Sequence, residues 1–387
     1  MEERVTYRRK MAGPVQQLRY QDITFRNYRN EALQRYKASF DLAARYVFLA
    51  GRTYDYETSL LGSSSKAGQN FLTSIIRQRS LGQFVNDEPV HGVSGLSDPM
   101  SRMKLSFDSL KGPLGFNNPQ METGQFSLRH ELFRLRDASD EEWQEVLADH
   151  CVDDLRQLPE FKKFCRPFAP ESAGPQPGLV IPFSTNINYG LNFFGWPLAG
   201  GDSAYDSSRF ATKAKSVGVW FENYSGLNLS TTPRVYLVPV GLDVLRSPTG
   251  GSFATREFNV VDQALPDPFP IGASDFSNPR YIPFNDSLDN SFTAIRQFPR
   301  FRAYHSAGNG NLPLLNEMST DTRIIGRSVW NTRWLLIIPG GTFLNNADDG
   351  MDTFIFGKKV PGSSTQRDGN GNLDIKLFFE TYSYSGL

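Results

Sequence analysis

Tyr28 to Leu61 reads YRNEALQRYKASFDLAARYVFLAGRTYDYETSLL. Around and within it, apolar side chains recur at Phe25, Tyr28, Ala32, Tyr36, Phe40, Ala43, Val47, Ala50, Tyr54 and Leu61. The steps are mostly three and four, which is the helical period. The spacing predicts one long amphipathic helix over about residues 22–61, spanning roughly 55 Å from Phe25 to Leu61 at 1.5 Å per residue. Asp22 or Thr24 is placed to cap its start, and Gly62 followed by serines is placed to end it. Gly51 is the weak point, costing about 1 kcal/mol against alanine, and two ordinary helices broken there are the alternative. A stripe this long ordinarily packs along another helix. Ala32, Ala43 and Ala50 permit close approach, while Tyr36, Phe40, Tyr54 and Tyr56 are sized to fill grooves between helices.

Beyond the long helix, Gly68 to Leu81 and Arg102 to Leu110 read as shorter helices, and Ser127 to Arg136 is ambiguous between helix and strand. Ser139 opens a clearer helix. Glu142 stands three residues on, in the capping-box arrangement, and Trp143, Val146, Leu147, Cys151, Val152 and Leu155 continue an apolar face. The segment 169–178, APESAGPQPG, has linker composition. After it the pattern becomes short strands: 179–185, 215–222, 234–241, 256–261, 332–340, 352–357 and 374–385. Gly, Asn and Asp turns separate them, without the intervening helices that parallel units need. The expected fold class is therefore α+β. A helical region over 1–168 is followed by a linker at 169–178 and an antiparallel β-sandwich over 179–387.

Lys plus Arg and Asp plus Glu both number 41, so the net charge is zero. Such a chain carries no overall field to draw nucleic acid or anionic membrane, and little repulsion to keep copies apart. No apolar run approaches the length of a transmembrane helix. The opening MEERVTYRRKM has no apolar core of a signal peptide, and reads as an internal cut from a longer chain. Cys151 and Cys165 either pair or stay as buried thiols, and the sequence leaves both open.

The motifs of common enzyme chemistry are missing. His91, His130, His150 and His305 form no metal spacing. There is no G-x-S-x-G, P-loop or C-x-x-C. A non-enzyme is the expectation, although a pair of carboxylates brought together from different strands leaves no spacing to read. One loop, RDGNGNLD, places Asp368, Asn370, Asn372 and Asp374 at alternate positions, as a Ca²⁺ loop would. Leu373 stands where an EF-hand needs glycine, and Glu380 comes one step late, so a Gly/Asn turn is the other reading. Arg296 to His305 mixes basic and aromatic residues that could stack on bases, but a protein-contact or structural role fits the zero net charge better. Leu191 to Tyr205, LNFFGWPLAGGDSAY, reads either as core and corner or as a sugar-binding platform.

The order of segments resembles the C-terminal region of the A subunit of bacterial insecticidal toxin complexes (Tc toxins). The resemblance is carried by LAARYVFLAGRTYDYET (Leu42–Thr58), GLVIPFST, GGDSAYDSSRFATKAKSVGVWFENYSG and RVYLVPV. The junction RFATKAKSVGVWF (Arg209–Phe221) matches best. SVWNTRWLLIIPGGTFLNN and DIKLFFETYSYSGL look like the tails of related, very large bacterial secreted or surface proteins. The resemblance implies a non-enzymatic, secreted or cell-surface protein that forms a homo-oligomer, a pentamer in that family. The long helix would lie in a central bundle, and this end would dock a partner of the B–C type. No nucleic-acid partner, transmembrane segment or cofactor is implied. The alternative is a lectin-like, carbohydrate-binding sandwich of a bacterial surface protein, with Ca²⁺ at the Asp368 loop.

Overall fold

A computed structural model describes residues 2–62, 64–86, 88–165, 173–230, 233–248, 254–259, 301–305, 326–343 and 347–386. They fall into two compact units, Met1–Tyr56 with Gly62–Asp108, and Glu57–Leu61 with Ser109–Leu387.

The first unit is helical: α1 (Glu2–Gln21), α2 (Ile23–Thr58), α3 (Gly68–Arg77) and α4 (Ser97–Lys111), with a small hairpin of β1 (Phe84–Val85) and β2 (Glu88–Pro89). The long helix is a single element. The Thr24 amide donates to Asp22 Oδ1 at 2.9 Å, so Asp22 is the residue that caps the start. Ser59, in the left-handed region at φ +45°, follows its last residue, so the helix stops before Gly62. Gly51 does not break it. A Cβ there would stand 2.6 Å from Leu72 Cδ2, so the missing side chain is what lets α3 lie close. Val47, Tyr54, Leu72, Ile75, Leu96 and Met103 form the buried core of this unit, with Phe40, Ala43, Ala44 and Phe107 packed against it.

The second unit is built on β3 (Gln120–Ser127), β4 (Cys151–Val152), β5 (Gly178–Phe183), β6 (Phe210–Phe221), β7 (Arg234–Pro239), β10 (Phe301–His305), β11 (Trp334–Pro339) and β12 (Ile375–Tyr384). Their order is β3-β12-β6-β10-β7-β11-β5-β4. Every neighbouring pair is antiparallel except β10 with β6. The two halves of this order face one another. Phe126, Val219, Leu377 and Phe379 from one half share a core with Leu179, Ile181, Leu237 and Leu336 from the other. The rings of Trp334 on β11 and Phe379 on β12 lie 6.2 Å apart across it. This is the expected sandwich. A separate pair, β8 (Asp243–Arg246) with β9 (Thr255–Phe258), lies beside it in the chain.

The run Trp334 to Ile338 is continuously apolar because β11 is covered on both faces. Trp334, Leu336 and Ile338 enter the main core. Leu335 and Ile337 join a second cluster with Leu155, Phe161, Cys165, Tyr236 and Val238. Each such side chain contributes about 1.5–3 kcal/mol on full burial. The helices of this unit are α5 (Asp140–Asp149), α6 (Pro159–Phe164) and α7 (Ala347–Phe356). The Ser139 hydroxyl accepts from the Glu142 amide at 3.3 Å, as the capping motif predicts. The helix nevertheless ends at Asp149, and Cys151–Val152 turns into strand.

Three expectations are corrected. Residues 352–357 are the end of α7 and not a strand. Met351, Phe354 and Ile355 are spaced at three and four and all turn into the core. The division between the units lies near residue 108, not at 169–178. Gln120–Ser127 is a strand that pairs along β12 from Lys376↔Ser127 to Ser383↔Gln120. Of the linker, residues 166–172 lie outside the described residues, while Gln176 is buried and its amide donates to Asp154 Oδ1 at 3.2 Å. Ser127 to Arg136 is neither ordinary helix nor strand but opens with a π-helical turn, Leu128–Leu132.

Candidate functional site

The apolar stripe of α2 has two fates. From Phe40 to Tyr54 it lies in the helical core against α3 and α4. Tyr54 is anchored further: its hydroxyl donates to the Lys66 carbonyl at 2.9 Å and lies 2.8 Å from Ser106 Oγ. Toward the N-terminus the same face has no cover among the described residues. Tyr28 is 69% exposed, Leu33 52% and Tyr36 49%. Along α1 the side chains of Val5, Tyr7, Met11 and Val15 are exposed as well. Residues 2–39 carry nine Lys or Arg and four Asp or Glu, a net charge of +5, which leaves the remainder of the chain at −5.

Glu57, which belongs to the second unit, is held electrostatically. Lys213 on β6 is wholly buried, and its Nζ lies 2.6 Å from Glu57 Oε2. Burial pulls the Lys213 ammonium below the usual lysine range, and the Glu57 carboxylate works against that fall. Asp243 stands near enough to assist. Asp243 is itself gripped by Arg327 through two hydrogen bonds, 2.7 and 2.9 Å, and by Asn331 Nδ2 at 2.6 Å.

The loop at Asp368 holds structure together through its oxygens. Asp368 Oδ1 accepts from the Lys358 and Asn370 amides at 2.9 and 3.0 Å. Asn372 is buried; its Nδ2 donates to the carbonyls of Glu222 and Asp374 at 3.0 and 3.1 Å, and its Oδ1 accepts from Trp143 Nε1 at 3.4 Å. Asp374 accepts from Ser127 Oγ at 2.7 Å and the Arg129 amide at 3.1 Å. Burial raises its carboxyl, and these donors oppose the rise. Besides donating its amide, Asn370 accepts at its backbone carbonyl from Asn223 Nδ2 at 3.1 Å. Donors therefore occupy Asp368 Oδ1, Asn372 Oδ1 and both carboxylate oxygens of Asp374. Among the described residues no cluster of three or more His, Cys, Asp or Glu side chains could hold a metal.

The remaining candidates separate. His91 pairs with Asp98 at 3.0 Å, and His150 Nδ1 meets the Val146 carbonyl at 2.8 Å. His130 donates its amide to Ser127 Oγ, and His305 falls at the end of β10. Residues 296–300 lie outside the described residues. Cys151 and Cys165 are both free, and burial pushes the Cys165 thiol up. In the aromatic segment Phe193, Phe194 and Tyr205 are core, with Phe126 stacked on Phe193 at 3.8 Å. Trp196 is half exposed and donates from Nε1 to the Leu132 carbonyl at 3.0 Å, and neighbouring Tyr189 is 88% exposed. No protein-family model, curated protein or solved structure matches the chain. The functional reading therefore rests on its own residues, and among the described residues Tyr28, Leu33 and Tyr36 of the long helix stay about half exposed or more.

Two groups were hidden from sequence reasoning. Lys213 sits in the run ATKAKSVGVWF, where alternation does not tell a buried lysine from a solvated one. Glu131 lies in the π-helical turn and accepts from the Ser203 and Ser127 amides at 3.1 and 3.3 Å. Burial raises its carboxyl to about 7, Asp202 adds to the rise, and both amides and Arg136 oppose it.

Proposed function

We propose that this protein is a non-enzymatic interaction module that assembles with further copies of itself through α1 and the N-terminal half of α2. One observation carries the reading. The stripe that packs into the core from Phe40 to Tyr54 continues through Tyr36, Leu33 and Tyr28 without cover among the described residues. An apolar helical face gains most of its stability from tertiary packing, and large uncovered aromatics mark contact surfaces. Covering what remains exposed of each of these three side chains would contribute about 1–2 kcal/mol at ~25 cal/mol per Å². The resemblance to toxin-complex A subunits supports a finer version, in which the assembly is a pentamer and the sandwich docks a partner protein of the B–C type.

Light scattering on the full chain tests this. The expected mass is a multiple of the chain's own, reduced to one chain by Tyr28→Glu with Tyr36→Glu. A monomer at all concentrations would exclude self-assembly.

Exposed Tyr189 and half-exposed Trp196 favour a second reading, a carbohydrate-binding sandwich. A glycan array with the wild type and Trp196→Ala decides it. Binding lost in the variant would support a lectin, and an empty array would remove that reading.

A further inference from the structure

Gly195 to Ser203 forms a strap on the surface of the second unit. Phe193, Phe194 and Tyr205 sit in the core on either side of it. The strap itself buries no apolar side chain, since Trp196 and Leu198 are both about half exposed. Among the described residues, polar contacts hold it to residues 131–136. Trp196 Nε1 donates to the Leu132 carbonyl at 3.0 Å, and Arg134 Nη2 to the Pro197 carbonyl at 2.7 Å. Arg136 reaches the Gly200 carbonyl. Arg134 and Arg136 both pair with Asp202, whose side chain is fully buried. The Ser203 amide donates to Glu131 Oε2 at 3.1 Å. A segment fixed by polar contacts, with no apolar side chain in the core, opens locally at little cost.

Glu131 differs from its neighbour Asp202. It is buried in the π-helical turn, and its other oxygen accepts from the Ser127 amide at 3.3 Å. Asp202 takes both guanidiniums, while Glu131 makes no ion pair among the described residues. The charged groups that act on it are Asp202, on the strap, and Arg136. On its own turn Arg129 is engaged by Asp140 and by the Leu373 and Ala138 carbonyls. Asp374 is taken up by Ser127 and the Arg129 amide, and it is Asp374 on which His130 and Lys376 act. A charge on Glu131 would thus be buried beside that of Asp202, with only two amides in contact. Burial, with Asp202 adding to it, raises the Glu131 carboxyl to about 7. π-Helical turns of this kind are frequent at functional sites.

We propose that Gly195–Ser203 is a pH-sensitive strap, which lies on the π-helical turn while Glu131 keeps its proton and lifts as that proton leaves. Lifting carries the Asp202 charge away and admits water to Glu131, which relieves the cost of ionising it. In the lifted state the carboxyl returns toward its ordinary 4.5. The closed state is therefore fully favoured below the lower value and is lost progressively as pH rises through the higher one. Trp196 and Leu198 move with the strap, so the apolar surface it presents changes with pH.

Hydrogen exchange of the Leu198 and Ser203 amides in the full chain, corrected for the intrinsic pH dependence of exchange, tests the proposal. The Ile337 amide of β11 serves as the reference for unfolding of the whole unit. Between pH 4.5 and 8 the opening at Leu198 and Ser203 should rise about a hundredfold. It should depend weakly on urea, whereas opening at Ile337 carries the steep dependence of whole-unit unfolding. In Glu131→Gln the opening at Leu198 and Ser203 should not change with pH. The wild-type series decides alone should that variant fail to fold. Wild-type opening that stays constant with pH would overturn the proposal. So would a urea dependence as steep as at Ile337, or the same pH dependence in folded Glu131→Gln.

Discussion

Lys213 Nζ lies 2.6 Å from Glu57 Oε2, an ion pair inside the second unit between the fourth residue of β6 and Glu57. Lys213 is wholly buried and the Glu57 side chain is one-third exposed. Removing one member of a buried pair leaves an uncompensated charge and costs about 3–5 kcal/mol, whereas replacing both with apolar groups is often neutral or better. Because Glu57 retains some solvent, the lower end of that range applies. Glu57→Leu is expected to destabilise the chain by about 3 kcal/mol in urea denaturation, and Glu57→Leu with Lys213→Met to recover most of the loss. Equal losses in the single and double variants would show that the two residues are not coupled.

Gly51 and Leu72 give a second test. Alanine in a helix interior gains about 1 kcal/mol over glycine, but here its Cβ would stand 2.6 Å from Leu72 Cδ2. Overpacking of this kind costs about 1–3 kcal/mol. Gly51→Ala should therefore be neutral to destabilising, and should become stabilising in a Leu72→Ala background. A thermodynamic cycle with no coupling between the two positions would contradict the close approach.

Glu131 makes stability depend on pH. Its folded-state value, raised to about 7, lies above the ordinary 4.5. A carboxyl of this kind contributes fully below the lower value, and that contribution is lost as pH rises through the higher one. Between pH 4.5 and 8 the stability of the wild type should fall relative to Glu131→Gln by up to about 3 kcal/mol. A difference that stays constant across this window would contradict the raised value.

The Asp368 loop offers a metal test. Its oxygens already accept hydrogen bonds from the Lys358, Asn370 and Arg129 amides, from Ser127 and from Trp143. Millimolar Ca²⁺ or a chelator should leave the melting temperature unchanged. A rise of several degrees with Ca²⁺ would show that the ion displaces these donors.

The long helix was legible in the sequence because one face repeats at 3.6 residues without interruption, and the late strands because Gly, Asn and Asp turns separate them. Other elements were not. Gln120–Ser127 is a polar edge strand, QMETGQFS, with only its last two residues buried, so its pattern carries little signal. Asp352 to Gly357 looks like a strand in a six-residue window, and only the longer window from Ala347 shows Met351, Phe354 and Ile355 on one helical face. Gly51 looked like a flaw because the residue it admits, Leu72, comes from another helix. The buried charges of Lys213 and Arg246 depend on partners 156 and 59 positions away, Glu57 and Ile187, which no local spacing reveals.

On the proposed self-assembly, the basic character of residues 2–39 predicts its salt dependence. Copies packed side by side bring like charges together, so screening should favour association through the apolar stripe. Sedimentation should show tighter assembly at 0.5 M than at 0.05 M NaCl. Weakening with salt would point to an acidic partner in place of a second copy.

Hydrogen exchange of the amides of residues 26–39, followed against protein concentration, tests the central claim most directly. Self-assembly predicts slow exchange at high concentration and a progressive loss of protection on dilution, while amides of residues 43–54 stay protected throughout. Exchange over 26–39 that is fast at every concentration would contradict it.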